Sequence, residues 1–484
     1  MTCSRRLIAA LAGLALAAAA CTGSGGGGKK TASPSALAAG PLYRGETIDG
    51  TPHPLGMKWE WPRSDELAPY LRRLSGGASF YEMEWCDVEP SRGQREWGTV
   101  DQVADAAHRL GYALHLKIRT GSCWVNADRG GHERGRKAAS AMPDSLGTYE
   151  EFVRAVVERY APKDVHTYAI ENEVNGESFW NGSADEYERL VRAAAAAIHK
   201  ADPQARVFDA GISSTGHGSG VVARLNEGSP DAALAAYRRY YGQRGNRRRD
   251  FPEATDAESL RAALATEQAR RNLSFLATTE KLLADGVVDG RQVHFYEPAA
   301  ALPDLIAYLQ ATTPKHVPIE AWEVGMFWTG GAPDDQVQAA DTVKKVSLLL
   351  GAGVTRVIWL PLSASPGGRR NSEIRFGLLD PKGAVRPAGE AFEALATAAS
   401  GGAGWREVAG AGVEGIAIGR TDASTLVLWS ESPRVLRHPP PAGARATVAG
   451  GGDLRWEQSG LTIGPQPVIL QVSTGLDAAL RLLA

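Results

Sequence analysis

Cysteine is scarce in this 484-residue chain, which has four. No His or Cys pair stands at metal-ligand spacing, so the sequence offers no metal centre. Charge of one sign is missing as well. The 53 basic residues face 55 acidic ones, which removes the bulk field that would argue for a nucleic-acid partner. No glycine-rich phosphate loop follows a strand, so nucleotides are not indicated and no cofactor is expected. There is no internal repeat. The apolar run Leu7–Ala20 falls short of the roughly 20 residues that span a bilayer.

That run has its own meaning. Arg5 and Arg6 precede it, small residues close it, and Cys21 follows. This is the pattern of a bacterial lipoprotein signal covering residues 1–21, cut before Cys21, which then carries the lipid. Ala18 stands where leucine is commoner in the motif. The alternative is an ordinary signal peptide cut nearby. Either implies export, and the lipid would hold the chain on the outer face of the bacterial cell membrane. A tether rich in Gly, Ser and Ala follows over 22–40. With Cys3 lost and Cys21 lipidated, Cys86 and Cys123 remain in the folded part. In an oxidising compartment the pair reads as a disulfide, with two buried free thiols as the alternative.

The length fits a barrel with an accessory module, and 43% hydrophobic content is ordinary for a globular protein. Short apolar β-prone runs alternate with helical patterns. Eight strands are expected: Gly56–Trp61, Ala78–Trp85, Ala113–Arg119, Val165–Glu173, Arg206–Gly211, Gln292–Glu297, Pro318–Glu323 and Arg356–Leu362. Among the helices, Asp101–Leu110 places Val103, Ala106, Ala107 and Leu110 on one face before Gly111. Ser183 and Glu186 form a capping-box pattern before a helix to about Lys200. Lys344–Leu350 ends at Gly351. The pattern predicts an α/β fold, a (β/α)8 TIM barrel over 41–400. Cys86 then ends strand two and Cys123 follows strand three, on neighbours about 4.8 Å apart.

Gly218 to about Gly290 is too long for one helix and two loops, and reads as a helical insertion after strand five. Within it, Tyr237–Asp250 is basic and aromatic: a solvated helix end, or a clamp for an acidic polymer. After the linker Gly401–Gly404, short strands at Gly415–Ile418, Leu426–Trp429, Ala444–Val448, Leu461–Ile463 and Val468–Val472 predict a small β-sandwich over 401–484. Leu42–Pro54 is a candidate extra strand for it.

Active sites of such barrels lie at the C-terminal strand ends. Strand four ends Glu171-Asn172-Glu173-Val174-Asn175, and strand seven ends Trp322-Glu323-Val324-Gly325. Strand six offers His294 and Tyr296, and strand eight Trp359. Cleaving a glycoside with retention needs a protonated and an ionised carboxyl group roughly 5–5.5 Å apart. Strands four and seven face each other across the barrel mouth, so Glu173 and Glu323 are the candidate pair. Glu171 is a rival acid on the same strand. Glu320 is a rival nucleophile, though a mid-strand interior charge needs a partner.

Asn-Glu closing strand four and Glu-x-Gly closing strand seven resemble glycoside hydrolase clan A. So does Trp85-x-x-Val88-Glu89-Pro90-x-x-Gly93 with Trp97 and Asp101, which is similar to the β-xylosidase, α-iduronidase and β-galactosidase branches. The resemblance spans Gly56 to Ala398. It implies Glu173 as acid/base, Glu323 as nucleophile, Asn172 on the sugar 2-hydroxyl, Tyr296 on the nucleophile and Trp359 as the floor of the sugar subsite. Many clan A enzymes carry an arginine in strand two, where this chain reads Ser79-Phe80-Tyr81-Glu82. Arg119 at the end of strand three either supplies that cation or serves as a salt-bridge partner. The valine after Glu173 stands where proline is usual.

Trp124, Trp180, Trp322 and Trp328 lie at or beyond strand ends, suited to stacking on sugar rings or to packing. His294 suits a substrate hydroxyl or a satisfied core position. The expected partner is an oligosaccharide or polysaccharide, with the membrane reached through lipid. The alternatives are a binding lipoprotein without turnover and a transglycosylase on the same barrel.

Overall fold

The structure is a computed structural model describing residues 38–44, 53–129, 139–244, 250–328, 334–363 and 376–483. The signal pattern, Cys21 and residues 22–37 of the tether lie outside the described residues. Among the described residues no helix is long and apolar enough to cross a membrane.

Eight parallel strands appear where the apolar runs predict them: Leu55–Met57, Ala78–Glu84, Ala113–Arg119, Thr167–Ile170, Arg206–Phe208, Arg291–Phe295, Ile319–Val324 and Arg356–Trp359, numbered here one to eight. They form two four-stranded parallel sheets, ordered one–eight–seven–six and two–three–four–five. Single bridges Phe208–Gly290 and Ile212–Val293 join strands five and six. Among the described residues no ladder closes strand one onto strand two, but their backbones touch there: a Cβ on Gly56 would stand 2.1 Å from the Ala78 carbonyl oxygen. Strand four stops three residues short of the expectation because Glu171 turns to φ 67° and Glu173 to φ 43°, a left-handed region that ends β pairing.

The helices follow their local signals. Helix Gly98–Leu110 buries Val103, Ala106, Ala107 and Leu110 and ends at Gly111, whose φ of 74° L-residues avoid. Ser183 and Glu186 make both bonds of a capping box at the head of Ala184–Ala201. The insertion is helical, with Ser214–Gly228, Pro230–Tyr241, Ala257–Leu264 and Glu267–Ala284. In the basic aromatic run, Tyr237, Tyr240, Tyr241 and Arg244 are buried, so this part is not the solvated helix end that charge alone suggests. Residues 245–249 of that run lie outside the described residues.

Apolar side chains plug the barrel interior. Phe80 of strand two, Phe208 of strand five, Trp322 of strand seven and Ile358 of strand eight form one buried cluster. Glu320, mid-strand, meets the partners its position demands: the Trp322 indole donates to it at 2.6 Å and the Arg356 guanidinium lies 3.6 Å away.

The C-terminal region is one seven-stranded antiparallel sheet and a two-stranded sheet, Arg434–Leu436 with Leu461–Ile463. The strand Gly404–Gly410 begins in the expected linker. It pairs with Tyr43–Arg44 and with Ala38–Ala39, residues the sequence placed in the accessory strand and the tether. Period-two alternation splits the large sheet's faces. Ile416, Ile418, Val427 and Ile469 join the barrel's core, while Leu426, Leu428, Leu470 and Val472 join a separate cluster with the small sheet. The Trp405 indole fixes the contact by donating to the Leu350 carbonyl at 3.0 Å.

Gly56→Ala should force the seam between strands one and two apart and cost roughly 1–3 kcal/mol. Urea unfolding of the variant checks this, and an unchanged midpoint would contradict the close approach.

Candidate active site

Glu323 reaches the barrel mouth through an irregularity in strand seven. On strand eight, Val357 pairs with Ala321 but Trp359 with Val324. On strand six, Gln292 pairs with Glu320 and His294 with Glu323. Both neighbours advance two residues while strand seven advances three. This is a β-bulge, and it re-aims a side chain as bulges near active sites do. Glu320 and Trp322 therefore occupy the interior, and Glu323 turns to meet strands three and six instead of alternating outward.

There it is held by three groups. The Lys117 ammonium donates to its Oε1 at 2.6 Å, the Tyr296 hydroxyl donates to its Oε2 at 2.9 Å, and His294 Nε2 lies 3.5 Å from Oε1. Burial alone would push this carboxyl up. The charges of His294 and Lys117, with hydrogen bonds from Lys117 and Tyr296, outweigh burial and hold it down to about 2. Lys117 is wholly buried. It also donates to Asn172 Oδ1 at 2.7 Å and stands 4.3 Å from the centre of the Phe80 ring, so the buried charge is paired, hydrogen-bonded and set on an aromatic face.

Glu173 comes from the left-handed turn after strand four. Its backbone N–H lies 3.2 Å from the Ala210 carbonyl and 3.1 Å from that of Gly211, and its Oε1 lies 3.0 Å from His294 Nδ1. One oxygen of Glu173, one nitrogen of His294 and one oxygen of Glu323 all lie within 4.8 Å of one another. Three ligand-type residues are thus brought together that linear spacing keeps apart. A cation shared by Glu323 and His294 would meet the Lys117 ammonium, 2.6 Å from one and 3.4 Å from the other.

Glu171 is not part of this cluster of carboxyl oxygens. It is buried against strand three, accepting from the Thr120 N–H at 2.7 Å and the Thr120 hydroxyl at 3.0 Å. Burial raises its pKa against the charge of Arg119 and these hydrogen bonds. Arg119 pairs with Glu84 at 2.9 Å and lies 3.7 Å from both Glu82 and Glu171. Arg119 is therefore the salt-bridge partner, and the cation at Glu323 is Lys117, one β repeat earlier on the same face. Lys117 is the residue that sequence reasoning missed.

Other expectations need correction. Trp359 does not floor a cleft. Ile358 takes the interior position, and Trp359 points outward, fully buried, with its ring 6.4 Å from that of Phe392 in the helix Pro387–Ala399. Trp180 is fully buried against Tyr187, its indole donating to the Ser183 carbonyl at 3.2 Å. Trp124 packs on Trp85 and donates to the Glu89 carbonyl at 2.7 Å. Trp322 plugs the interior. The Trp85–Glu89–Gly93 motif is a brace: the Trp85 indole, the Gly93 N–H and Arg95 all donate to the Glu89 carboxylate. Cys86 and Cys123 form a disulfide with Cα atoms 5.8 Å apart, which the barrel register allows.

In fold the chain is similar to solved clan A glycoside hydrolases, family 39 among them. It superposes on a family 39 glycoside hydrolase from the gut symbiont Bacteroides cellulosilyticus WH2 with a TM-score of 0.61 and 15% identity, over 88% of this chain and 82% of that one. A family 39 β-xylosidase from Caulobacter crescentus gives 0.56 and 16%, over 88% and 97%. A family 39 enzyme from Xanthomonas axonopodis pv. citri gives 0.54 and 14%, over 88% and 95%. At such identities the likeness is one of fold. No family model matches the chain, and no curated protein matches it in sequence.

Lys117→Met should leave Glu323 buried without its cation, a loss of about 3 kcal/mol or more in stability. The sign follows from linkage. Glu323 is depressed in the fold, so its stabilisation is present above the ordinary carboxylate range and is lost as pH falls towards about 2. In the variant that acid-side loss should shrink, because the folded carboxyl no longer titrates as far below its unfolded value. Thermal unfolding followed between pH 3 and 7 checks it, and a pH dependence matching the parent would contradict it.

Proposed function

We propose that the chain is a retaining glycoside hydrolase that cleaves O-glycosidic bonds by double displacement on Glu173 and Glu323. One observation carries the reading: the two carboxyl groups approach within 4.8 Å at the mouth of a barrel. That is close to the roughly 5–5.5 Å of retaining pairs and well below the roughly 6.5–9.5 Å that leaves room for an inverting water.

Each group suits a distinct task. Glu323, held ionised by Lys117 and Tyr296, is suited to attack the anomeric carbon. Glu173 is partly exposed at the mouth, where it can protonate the leaving oxygen and then take a proton from the attacking water. Lys117 holds Asn172 by its Oδ1, which orients the amide for the sugar 2-hydroxyl. Tyr296 fixes Glu323 in line. The missing arginine of strand two motivates the alternative of a barrel that binds without turnover. Lys117 removes that motive, since a cation does stand on the nucleophile. The substrate class is an oligosaccharide or polysaccharide.

The reading extends to location. The Arg5–Cys21 pattern supports export with Cys21 lipidated at the outer face of the cell membrane. The Cys86–Cys123 disulfide suits an oxidising compartment.

A panel of aryl glycosides tests the activity. Glu323→Gln should abolish hydrolysis, and azide should restore turnover to Glu323→Ala but not stimulate the parent. Glu173→Gln should slow phenyl glycosides by about 10²–10⁴-fold and dinitrophenyl glycosides far less. Undiminished turnover in both variants would remove the assignment. Loss of radiolabelled palmitate incorporation in Cys21→Ala would support the anchor, and labelling that persists would exclude it.

A further inference from the structure

The loop that follows Glu173 is held from outside the barrel. Glu173 opens a tight turn: its carbonyl accepts the Gly176 N–H at 2.7 Å, and the Phe179 and Trp180 N–H groups return to the Gly176 carbonyl. Four carbonyls of this loop converge on one side chain, Arg271 of the inserted helix Glu267–Ala284. Its Nε donates to Asn175 at 3.0 Å and its Nη1 to Gly182 at 3.3 Å. Its Nη2 donates to Val174 at 3.1 Å and to Trp180 at 2.8 Å. The planar fork of a guanidinium suits such a task, since its donors point in fixed directions. The Phe275 ring, centred 4.7 Å away, supports it.

Gln268 and Asn272 lie on the same helix face as Arg271 and complete the grip. Gln268 Nε2 donates to the Asn175 carbonyl at 3.1 Å, and Asn175 Nδ2 donates to Asn272 Oδ1 at 2.8 Å. Both asparagines are buried. Asn175 Oδ1 in turn accepts the Ser213 N–H at 3.0 Å. Glu173 is therefore fixed on both sides, by the Ala210 and Gly211 carbonyls on its own N–H and by the insertion on the residues after it.

Val174 shows why an external hold is needed. A proline there would fix its own φ but drive the preceding residue into extended conformation. Glu173 stands at φ 43°. Valine leaves that left-handed conformation open and supplies no ring to lock the turn.

We propose that Arg271 is a positioning residue for the acid: by binding four main-chain carbonyls beyond Glu173, it fixes the turn that presents the carboxyl to the leaving oxygen. The proposal rests on the glycosidase reading and deepens it. The insertion thereby takes part in proton delivery without touching the substrate.

The test uses the full chain with Arg271→Met and Arg271→Lys, and compares kcat/KM, which reports the breaking of the glycosidic bond. On phenyl glycosides, whose leaving group needs the acid, both variants should lose about 10²-fold. On dinitrophenyl glycosides, which depart unprotonated, both should stay close to the parent. Lysine keeps the charge, but its ammonium lacks the fork that reaches four carbonyls. Equal losses on the two substrates, no loss on either, or a lysine variant matching the parent would overturn the proposal. Hydrogen exchange read by mass spectrometry over residues 174–182 needs no turnover. It should quicken in Arg271→Met while Ala113–Arg119 stays protected, and unchanged exchange would overturn the clamp. A chain that hydrolyses neither glycoside would reject the glycosidase reading, and the exchange result would still decide whether Arg271 holds the turn.

Discussion

A single ammonium group, Lys117 Nζ, holds the mouth of this barrel together. It is wholly buried, and it is bonded at once to Glu323 and to Asn172. An unpaired charge in that place would cost several kcal/mol, and so would an unpaired Glu323. Each makes the other tolerable. The pair stands on Phe80, which with Trp322 and Phe208 fills the barrel below. The apolar plug excludes water from one side, and the low polarity there strengthens the ion pair.

Backbone irregularities bring the two glutamates together. The bulge in strand seven turns Glu323 inward, and the left-handed residues Glu171 and Glu173 end strand four and lift Glu173 to the mouth. Non-glycine residues in that conformation cost of order 1–3 kcal/mol each. The cost is offset locally. Thr120 binds the Glu171 carboxylate twice, and the Ala210 and Gly211 carbonyls receive the Glu173 N–H. Thr120 opens the loop that the Cys86–Cys123 disulfide ties to the end of strand two, so strands two, three and four brace one another where the acid is presented.

The sequence made the scaffold legible for physical reasons. Apolar runs bounded by turn residues marked every barrel strand, and caps marked helix ends such as Gly111 and Ser183. The glutamate pair was legible because it closes two strands that face each other. Lys117 was visible in principle. In Ala113–Arg119, residues Leu114, Leu116 and Ile118 alternate with His115, Lys117 and Arg119, but a lysine turned into a barrel looks prohibitive until its partners are known. Trp359 was misplaced because Arg356–Trp359 is buried on both faces, and such strands carry no alternation that reveals a face. The bulge and the left-handed turn leave no mark in composition at all, since glycine occupies neither site.

Covalent trapping tests the central claim most directly. The parent protein would be incubated with 2-deoxy-2-fluoro glycosides carrying a dinitrophenolate leaving group, and its peptides read by mass spectrometry. The account predicts one fluorosugar esterified to Glu323. A label on Glu171, Glu173 or Glu320, or hydrolysis with inverted stereochemistry and no adduct, would contradict it.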